Sequence, residues 1–324
     1  MLLPRSPRTI RIEYESEGFS PSALAEHGLE LSVSWDEILW AAMTIGRPNL
    51  HHVFQHAEAS IHEAMFRLSL VRMALERRAV RGSRLYRTDA YKQLDPTEKG
   101  GVSYFLGMTF CKLFSSRLLA TPWLLHLDVF GAQIGATVLR GRSRPDLVGQ
   151  SDSTSLWHGF ECKGRASPPN SADKAKAKAQ AQRLVSVGGA ACELHIGTFT
   201  YFKGDKVQFY WGDPREPKGK PIELPSPGGA WREYYAPFMA LLRRSSADAL
   251  PFTKGPEWVK IDGLDIELSI HPALADALWN EDWQAARQQA RSVRELLAPE
   301  GYELDGLGLR AGESWNQRFR PVEG

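Results

Sequence analysis

Residues 101–211 limit the fold of this chain more than any other part, because helical and strand-like patterns follow each other there in a fixed order. A helical run, GVSYFLGMTFCKLFSSRLL, precedes three predicted strands, PWLLHLDVF, ATVLRGRSRPDLVG and LWHGFECKG. An alanine-rich helix, SADKAKAKAQAQRLVSV, follows, and Gly188 and Gly189 are predicted to end it. Two more predicted strands, ACELHIGTFTYF and KVQFYW, flank a turn at Gly204. This order predicts an α/β fold in which helices flank a mixed central sheet.

Length and local composition predict how the chain is divided. A chain of 324 residues is long enough for two domains, or for one domain with large additions. Residues 212–228 are rich in proline, glycine and lysine, which predicts a linker or long loop. We therefore predict a mostly helical N-terminal region (1–100), a core (101–211) and an α-rich C-terminal region (229–324).

Local signals in the N-terminal region predict a short strand followed by helices. The strand lies near TIRIEYE, and Ser34 with Glu37 forms a capping-box pattern that opens a helix through WDEILWAAMTIG. A longer helix is predicted from about His51 to Arg78, because apolar residues recur there every three or four positions.

In the C-terminal region two helices are predicted, AWREYYAPFMALLRR and NEDWQAARQQARSVRELL. On the second helix Arg287, Arg291 and Arg294 share one face, while apolar side chains share another. The arginine row is either a solvated helix face or a surface for phosphate or a partner protein, and the sequence leaves both alternatives open.

The overall charge and the cysteines exclude some classes of protein. The net charge is only +2, so binding of a polyanion would depend on local clusters of charge. The three cysteines lack a CxxC spacing, which excludes a cysteine-based zinc module and is typical of a reducing compartment. The first residues lack a signal-peptide pattern, and the longest apolar tract contains His126 and Asp128. We therefore expect a cytoplasmic protein that does not span a membrane.

The predicted strand LWHGFECKG carries the residues with the clearest chemical character. Residues two apart in a strand point to the same side, so Glu161 and Lys163 project together. Phe160 and Cys162 face the opposite side. Asp146 lies 15 residues before Glu161, at the end of the preceding predicted strand, and a hairpin would bring it beside the pair. We therefore predict that Asp146, Glu161 and Lys163 converge.

Two carboxylates around a vacant space suit Mg²⁺, which prefers oxygen ligands and leaves several positions to water and phosphate. A lysine beside them can orient an attacking water or help to deprotonate it. A divalent ion that acidifies its water and polarises a phosphoryl oxygen removes much of the barrier to phosphodiester hydrolysis, whereas an aspartate alone does not. The predicted cluster therefore indicates phosphodiester chemistry.

Pro145-Asp146 and Glu161-Cys162-Lys163 together resemble the PD-(D/E)xK motif of the restriction-endonuclease-like nuclease superfamily. The resemblance covers about a third of the chain and implies a restriction-endonuclease-like core. It also implies that Asp146 and Glu161 hold Mg²⁺ or Mn²⁺, with the backbone carbonyl of Cys162 as a third ligand. Lys163 would act on the water. Unlike many relatives, this chain has no acid on the first core helix, GVSYFLGMTFCKLFSSRLL.

Basic residues around the motif predict where a nucleic acid would lie. Residues 135–185 hold nine Arg or Lys against four acids, a local excess of +5. Arg140, Arg142 and Arg144 share strand parity with Asp146, so a polyanion could follow that face. The predicted nucleic-acid contacts are Arg142, Arg144, Arg165, Lys174, Lys178 and Gln182. Alternatively, the lysines only make the alanine-rich helix soluble.

We expect a Mg²⁺-dependent endonuclease that hydrolyses phosphodiester bonds, with DNA favoured over RNA as substrate. A restriction enzyme and a nuclease of a defence system are both compatible with the motif. The alternative is a catalytically inactive nuclease-fold subunit that binds nucleic acid or scaffolds a complex. A metal-free structural domain is a third hypothesis, and the flanking regions are compatible with a homodimer or a partner protein.

Overall fold

The computed structural model describes most of the chain, and every structural statement below refers to that part. The described residues are 9–19, 29–45, 58–79, 83–132, 134–139, 143–213, 221–223, 235, 239, 242, 258–261 and 265–317. Within them the protein is α/β, and helices flank a mixed central sheet as predicted.

The N-terminal third contains strands as well as helices. Its elements are β1 (Ile10–Glu17), β2 (Leu29–Val33), α1 (Trp35–Thr44), α2 (Glu58–Ala74), β3 (Leu75–Arg78), β4 (Arg84–Arg87) and α3 (Asp89–Gln93). The capping box is confirmed, because the Ser34 hydroxyl accepts the Glu37 N–H at 3.2 Å and the Glu37 carboxylate accepts the Ser34 N–H at 2.7 Å.

In the N-terminal region the prediction of the second helix is wrong at its C-terminal end. The helix expected from about His51 to Arg78 ends at Ala74 in the structure, and its first seven predicted positions lie outside the described residues. Leu75 to Arg78 instead pair with β4 in an antiparallel ladder. Backbone pairing with a neighbouring strand therefore overrides the helical spacing of the apolar residues.

The core follows the predicted order with three differences, the first being that the strand predicted over PWLLHLDVF ends at His126 and is followed by a short helix. Its elements are α4 (Pro96–Leu119), β5 (Trp123–His126), α5 (Leu127–Phe130), β6 (Ala136–Leu139), β7 (Leu147–Gln150), β8 (Trp157–Gly164), α6 (Ser171–Ala181), β9 (Leu184–Val187), β10 (Ala190–Lys203) and β11 (Lys206–Gly212). The strand predicted over ATVLRGRSRPDLVG is two strands, since Pro145 cannot donate to a ladder. The end of the alanine-rich segment is β9, and Gly188 and Gly189, both at positive φ, turn it into β10.

The C-terminal region is not only helical. After β12 (Pro221–Glu223), its elements are β13 (Val259–Ile261), β14 (Ile266–Ile270), α7 (Pro272–Trp279), α8 (Trp283–Ser292), α9 (Arg294–Leu297) and β15 (Leu307–Ala311). β13, β14 and β15 form a small antiparallel sheet, and β12, within the predicted linker, pairs with β6. Most of the helix predicted over AWREYYAPFMALLRR lies outside the described residues.

Backbone pairing joins twelve of the described strands into one sheet. β7 lies antiparallel between β5 and β8, while β8 lies parallel to β10. β10 and β11 form the predicted hairpin, and β1 runs parallel to β11 with Glu13 beside Gln208. β1 therefore belongs to the same sheet as the core strands.

Helix α4 lies against β8 at unusually short range. A Cβ atom at Gly164 would come within 1.5 Å of the Ser103 carbonyl oxygen, and one at Gly107 within 2.8 Å of the Gly164 backbone nitrogen. Only glycine at both positions permits this approach. On the other face of the sheet, a Cβ atom at Gly197 would lie 2.9 Å from the Lys178 backbone nitrogen on α6. Two helices therefore enclose the middle of β8 and β10.

The arginine row of α8 and α9 contacts the core instead of solvent or a ligand. Arg291 Nε donates to Asp152 Oδ1 at 2.7 Å, and Arg294 lies 3.5 Å from the other oxygen of this carboxylate. Arg287 donates to the side-chain oxygen of Gln150, the last residue of β7. Both alternatives left open by the sequence are therefore replaced by an ion-paired contact within the chain.

The close contact of α4 with β8 generates a paired prediction. Gly107→Ala should lower the free energy of unfolding by about 1–3 kcal/mol, because its methyl group overlaps the backbone of β8. Gly101→Ala, in the same helix with open space around it, should raise the free energy by about 0.5–1 kcal/mol. Urea unfolding of both variants tests this, and equal stabilities would contradict it.

The contact of α8 with Asp152 generates a second prediction. Asp152→Ala should lower the free energy of unfolding by about 3 kcal/mol, because the carboxylate is 1% exposed and its arginine partners would be left unpaired. The control is Asp89→Ala. It removes an ion pair with Lys92, and the Asp89 carboxylate is 82% exposed. Asp89→Ala should lower the free energy of unfolding by no more than about 1 kcal/mol. Thermal and urea unfolding measure both, and a similar small loss for Asp152 would refute the anchoring role.

Candidate active site

Asp146 lies immediately before β7 and faces β8. The antiparallel register pairs Leu147 with Phe160, so one residue earlier Asp146 comes opposite Glu161. Asp146 Oδ2 accepts the Cys162 N–H at 2.8 Å, and its carbonyl accepts the Leu127 N–H at 3.0 Å. Both the side chain and the backbone of Asp146 are thereby held in one position.

Glu161 is a buried carboxylate with one unsatisfied oxygen. The residue is 1% exposed, Lys163 Nζ donates to Oε1, and Oε2 finds no hydrogen-bond partner among the described residues. Burial and the negative charge of Asp146 raise the pKa of Glu161 to about 7. An unpaired buried oxygen of this kind is costly and is typical of a site that receives an ion or a ligand.

Lys163 remains a cation in this environment. Burial alone would lower the pKa of Lys163, but the hydrogen bond and charge of Glu161, together with the charge of Asp146, raise it above its usual value. The lysine is half-buried beside two carboxylates, so it can donate hydrogen bonds from a fixed position. Asp146, Glu161 and Lys163 are thus brought together at the end of β8.

The backbone of Cys162 faces the same space as its two neighbours. The N–H and C=O of one strand residue point towards the same side, and the Cys162 N–H points to Asp146. Its carbonyl oxygen is therefore directed past the end of β7, which is compatible with the ligand role that the motif implies. The Cys162 side chain is buried on the opposite face, towards α4.

Two side chains near Asp146 were not identified from the sequence. The hydroxyl of Tyr104, on α4, lies 3.4 Å from Asp146 Oδ1. Burial raises the pKa of Asp146, and the nearby negative charge of Asp128 raises it further. The sequence signal for Tyr104 was its position one helical turn before Gly107, the residue that brings α4 against β8. Inspection of α4 for acids alone missed it.

Most of the predicted nucleic-acid contacts are occupied by carboxylates of the same chain. Arg144 pairs with Asp128 at 2.6 Å, and Arg165 pairs with Asp173. Arg142, like Arg140, lies outside the described residues. Arg144 itself stands in the segment between β6 and β7, outside both strands.

Two of the three lysines of α6 are paired with acids of β1. Lys178 Nζ lies 2.8 Å from Glu17, and Lys174 Nζ lies 3.6 Å from Glu15 and 3.8 Å from the centre of the Tyr210 ring. Gln182 caps the end of α6, where its N–H donates to the Lys178 carbonyl at 3.0 Å. The local excess of positive charge in the sequence is thus offset by residues more than 150 positions away.

The described residues hold no group of three or more His, Cys, Asp or Glu side chains arranged to bind a metal ion. The candidate donors are instead two carboxylates and one backbone carbonyl. This set suits Mg²⁺, which is commonly bound through one or two carboxylates and completes its shell with water and substrate phosphate. The unsatisfied Glu161 oxygen fits the same ion.

Comparisons with family models, with curated proteins and with solved structures find no match to this chain. Among the helices that the structure describes, none has the length and apolar character needed to cross a bilayer.

The raised pKa of Glu161 generates a prediction about stability. A carboxyl whose pKa rises on folding makes its full contribution to stability at pH values below its pKa in the unfolded chain, near 4.5. This contribution is lost as the pH rises through the pKa in the folded protein, about 7. Glu161→Gln should therefore raise the free energy of unfolding at pH 8 by about 1–3 kcal/mol and leave it unchanged near pH 4. Urea unfolding at both pH values tests this.

The control for this prediction is Asp276→Asn, which removes an exposed carboxylate on α7 and should change neither value. A Glu161→Gln variant that is less stable than the wild type at pH 8 would show that the carboxylate is a structural ion-pair partner of Lys163 and no more.

Proposed function

We propose that the protein is a metal-dependent endonuclease that hydrolyses phosphodiester bonds, most readily in DNA. The observation that carries the proposal is the meeting of Asp146, Glu161 and Lys163 around a buried carboxylate oxygen that lacks a partner. The order of α4, β5, β7, β8 and α6 also supports a restriction-endonuclease-like core.

Asp146, Glu161 and the Cys162 carbonyl would hold Mg²⁺ or Mn²⁺. When bound, such an ion polarises a phosphoryl oxygen and lowers the pKa of a water molecule, which supplies a nucleophile near neutral pH. The Cys162 N–H and the Tyr104 hydroxyl keep the Asp146 carboxylate oriented. A carboxylate that is already oriented needs no reorganisation when the ion enters.

Lys163 acts as a hydrogen-bond donor and positive charge in this proposal. Its raised pKa keeps the ammonium protonated at neutral pH, so it does not accept the proton of the attacking water. It can orient that water and offset the charge that grows on the phosphoryl oxygens in the transition state. The sequence left two roles open for Lys163, orienting the attacking water or helping to deprotonate it, and the proposal assigns it the first.

Cleavage of plasmid DNA, linear single-stranded DNA and RNA tests the proposal. With Mg²⁺ or Mn²⁺ the wild type should release products, and Lys163→Ala should reduce the rate by about 10²–10³-fold because a transition-state donor is lost. Melting temperatures should stay within a few degrees. Lys176→Ala, which removes an exposed lysine of α6, is the matched control and should leave the rate unchanged.

Two results would decide against this proposal. Cleavage that survives both a chelator and Lys163→Ala would exclude the metal-dependent mechanism. Salt-sensitive binding of nucleic acid without products under any divalent ion would instead favour the inactive nuclease-fold subunit.

A further inference from the structure

Tyr104 presents an exposed aromatic ring at the candidate active site. The residue is 42% exposed and is one of only four large apolar residues that are exposed in the described part of the chain. Its hydroxyl lies 3.4 Å from Asp146 Oδ1, one of the two carboxylates of the site. Single exposed rings are common on protein surfaces, and the contact with a carboxylate of the candidate site is what distinguishes Tyr104.

The Tyr104 side chain is partly buried and partly exposed. Burial, and then the charge of Asp146, raise the pKa of the Tyr104 hydroxyl, so the group remains a hydrogen-bond donor at neutral pH. The residue as a whole remains 42% exposed. An aromatic face is therefore available within one side-chain length of the carboxylate.

The ion pairs of the basic residues limit how a nucleic acid can be held. Arg144, Arg165, Lys174 and Lys178 are each engaged by a carboxylate of this chain. Duplex DNA is bound chiefly through cations that neutralise several phosphates. Single strands are held in addition by stacking of bases on aromatic rings, worth about 1–3 kcal/mol per base. The described residues near the site therefore favour stacking over broad phosphate contact.

We infer that Tyr104 is a substrate-positioning residue whose exposed ring stacks on an unpaired base beside the scissile phosphate. The substrate is therefore single-stranded or locally melted nucleic acid, since a base inside a duplex cannot reach the ring without leaving its stack. This inference rests on the proposed function for the identity of the scissile phosphate. The stacking itself can be measured without catalysis.

Equilibrium binding separates the inference from the proposed function. Fluorescence anisotropy with a labelled 20-nucleotide single strand, in the presence of a chelator to prevent cleavage, gives Kd for the full chain. Tyr104→Leu should weaken binding by about 5- to 150-fold, the loss of one stacked base. Tyr104→Phe should rescue most of this loss. The matched control is Phe66→Leu, which removes the 62% exposed ring of α2 and should not change Kd.

The second experiment measures cleavage kinetics with Mg²⁺, on the same single strand and on a blunt-ended duplex of the same sequence. Tyr104→Phe should lower kcat through the lost contact with Asp146 while KM stays close to the wild-type value. Tyr104→Leu should also raise KM for the single strand about tenfold. The wild type should prefer the single strand over the duplex, and an RNA strand of the same sequence distinguishes the two nucleic acids.

Each failure has its own result. Binding that depends on the Tyr104 ring, without cleavage, would support stacking and overturn the proposed endonuclease. Cleavage with Tyr104→Leu equal to the wild type, or a preference for duplex, would overturn the stacking and leave the endonuclease in place. If Tyr104→Phe and Tyr104→Leu weaken binding equally, the effect belongs to the hydroxyl, and the stacking inference is overturned. Absence of any binding would overturn both.

Discussion

The contact of α4 with β8 is the constraint on which the rest of the site depends. Without a side chain at Gly107 and Gly164, the helix backbone reaches the strand at the level of Lys163. Tyr104, one turn earlier, is thereby carried to Asp146, and Asp146 in turn is fixed by the Cys162 N–H. A larger residue at either glycine would separate α4 from β8, the strand that carries Glu161 and Lys163.

The carboxylates at the end of β8 lie in an electrostatically unfavourable environment. Glu161 is buried beside a second carboxylate with one oxygen unsatisfied, and Lys163 compensates only part of that charge. Other buried groups among the described residues are also perturbed, since burial raises the pKa of Asp36 to about 6 and lowers that of Lys112 to about 7, whereas Asp152 is paired with Arg291. A protein retains such an uncompensated group mainly where it has a function, because a neutral residue of the same shape would be more stable there.

Much of the fold and part of the site follow from local patterns. The period of two in LWHGFECKG correctly placed Glu161 and Lys163 on one side, and the capping box at Ser34 correctly began α1. The charge of a segment was a poor guide, because Lys174 and Lys178 are paired with acids of β1. Tyr104 was missed because its contact with Asp146 spans 42 residues and depends on helix packing.

The sequence by itself determined the α/β class, the motif residues and their order, since hydrophobic period and glycine or proline positions act over a few neighbouring residues. The tertiary structure alone decided which charges meet. It placed β1 in the core sheet, its acids against α6, and the arginines of α8 against Asp152. The physical reason is that ion pairing and close packing depend on distance in space, which local patterns do not encode.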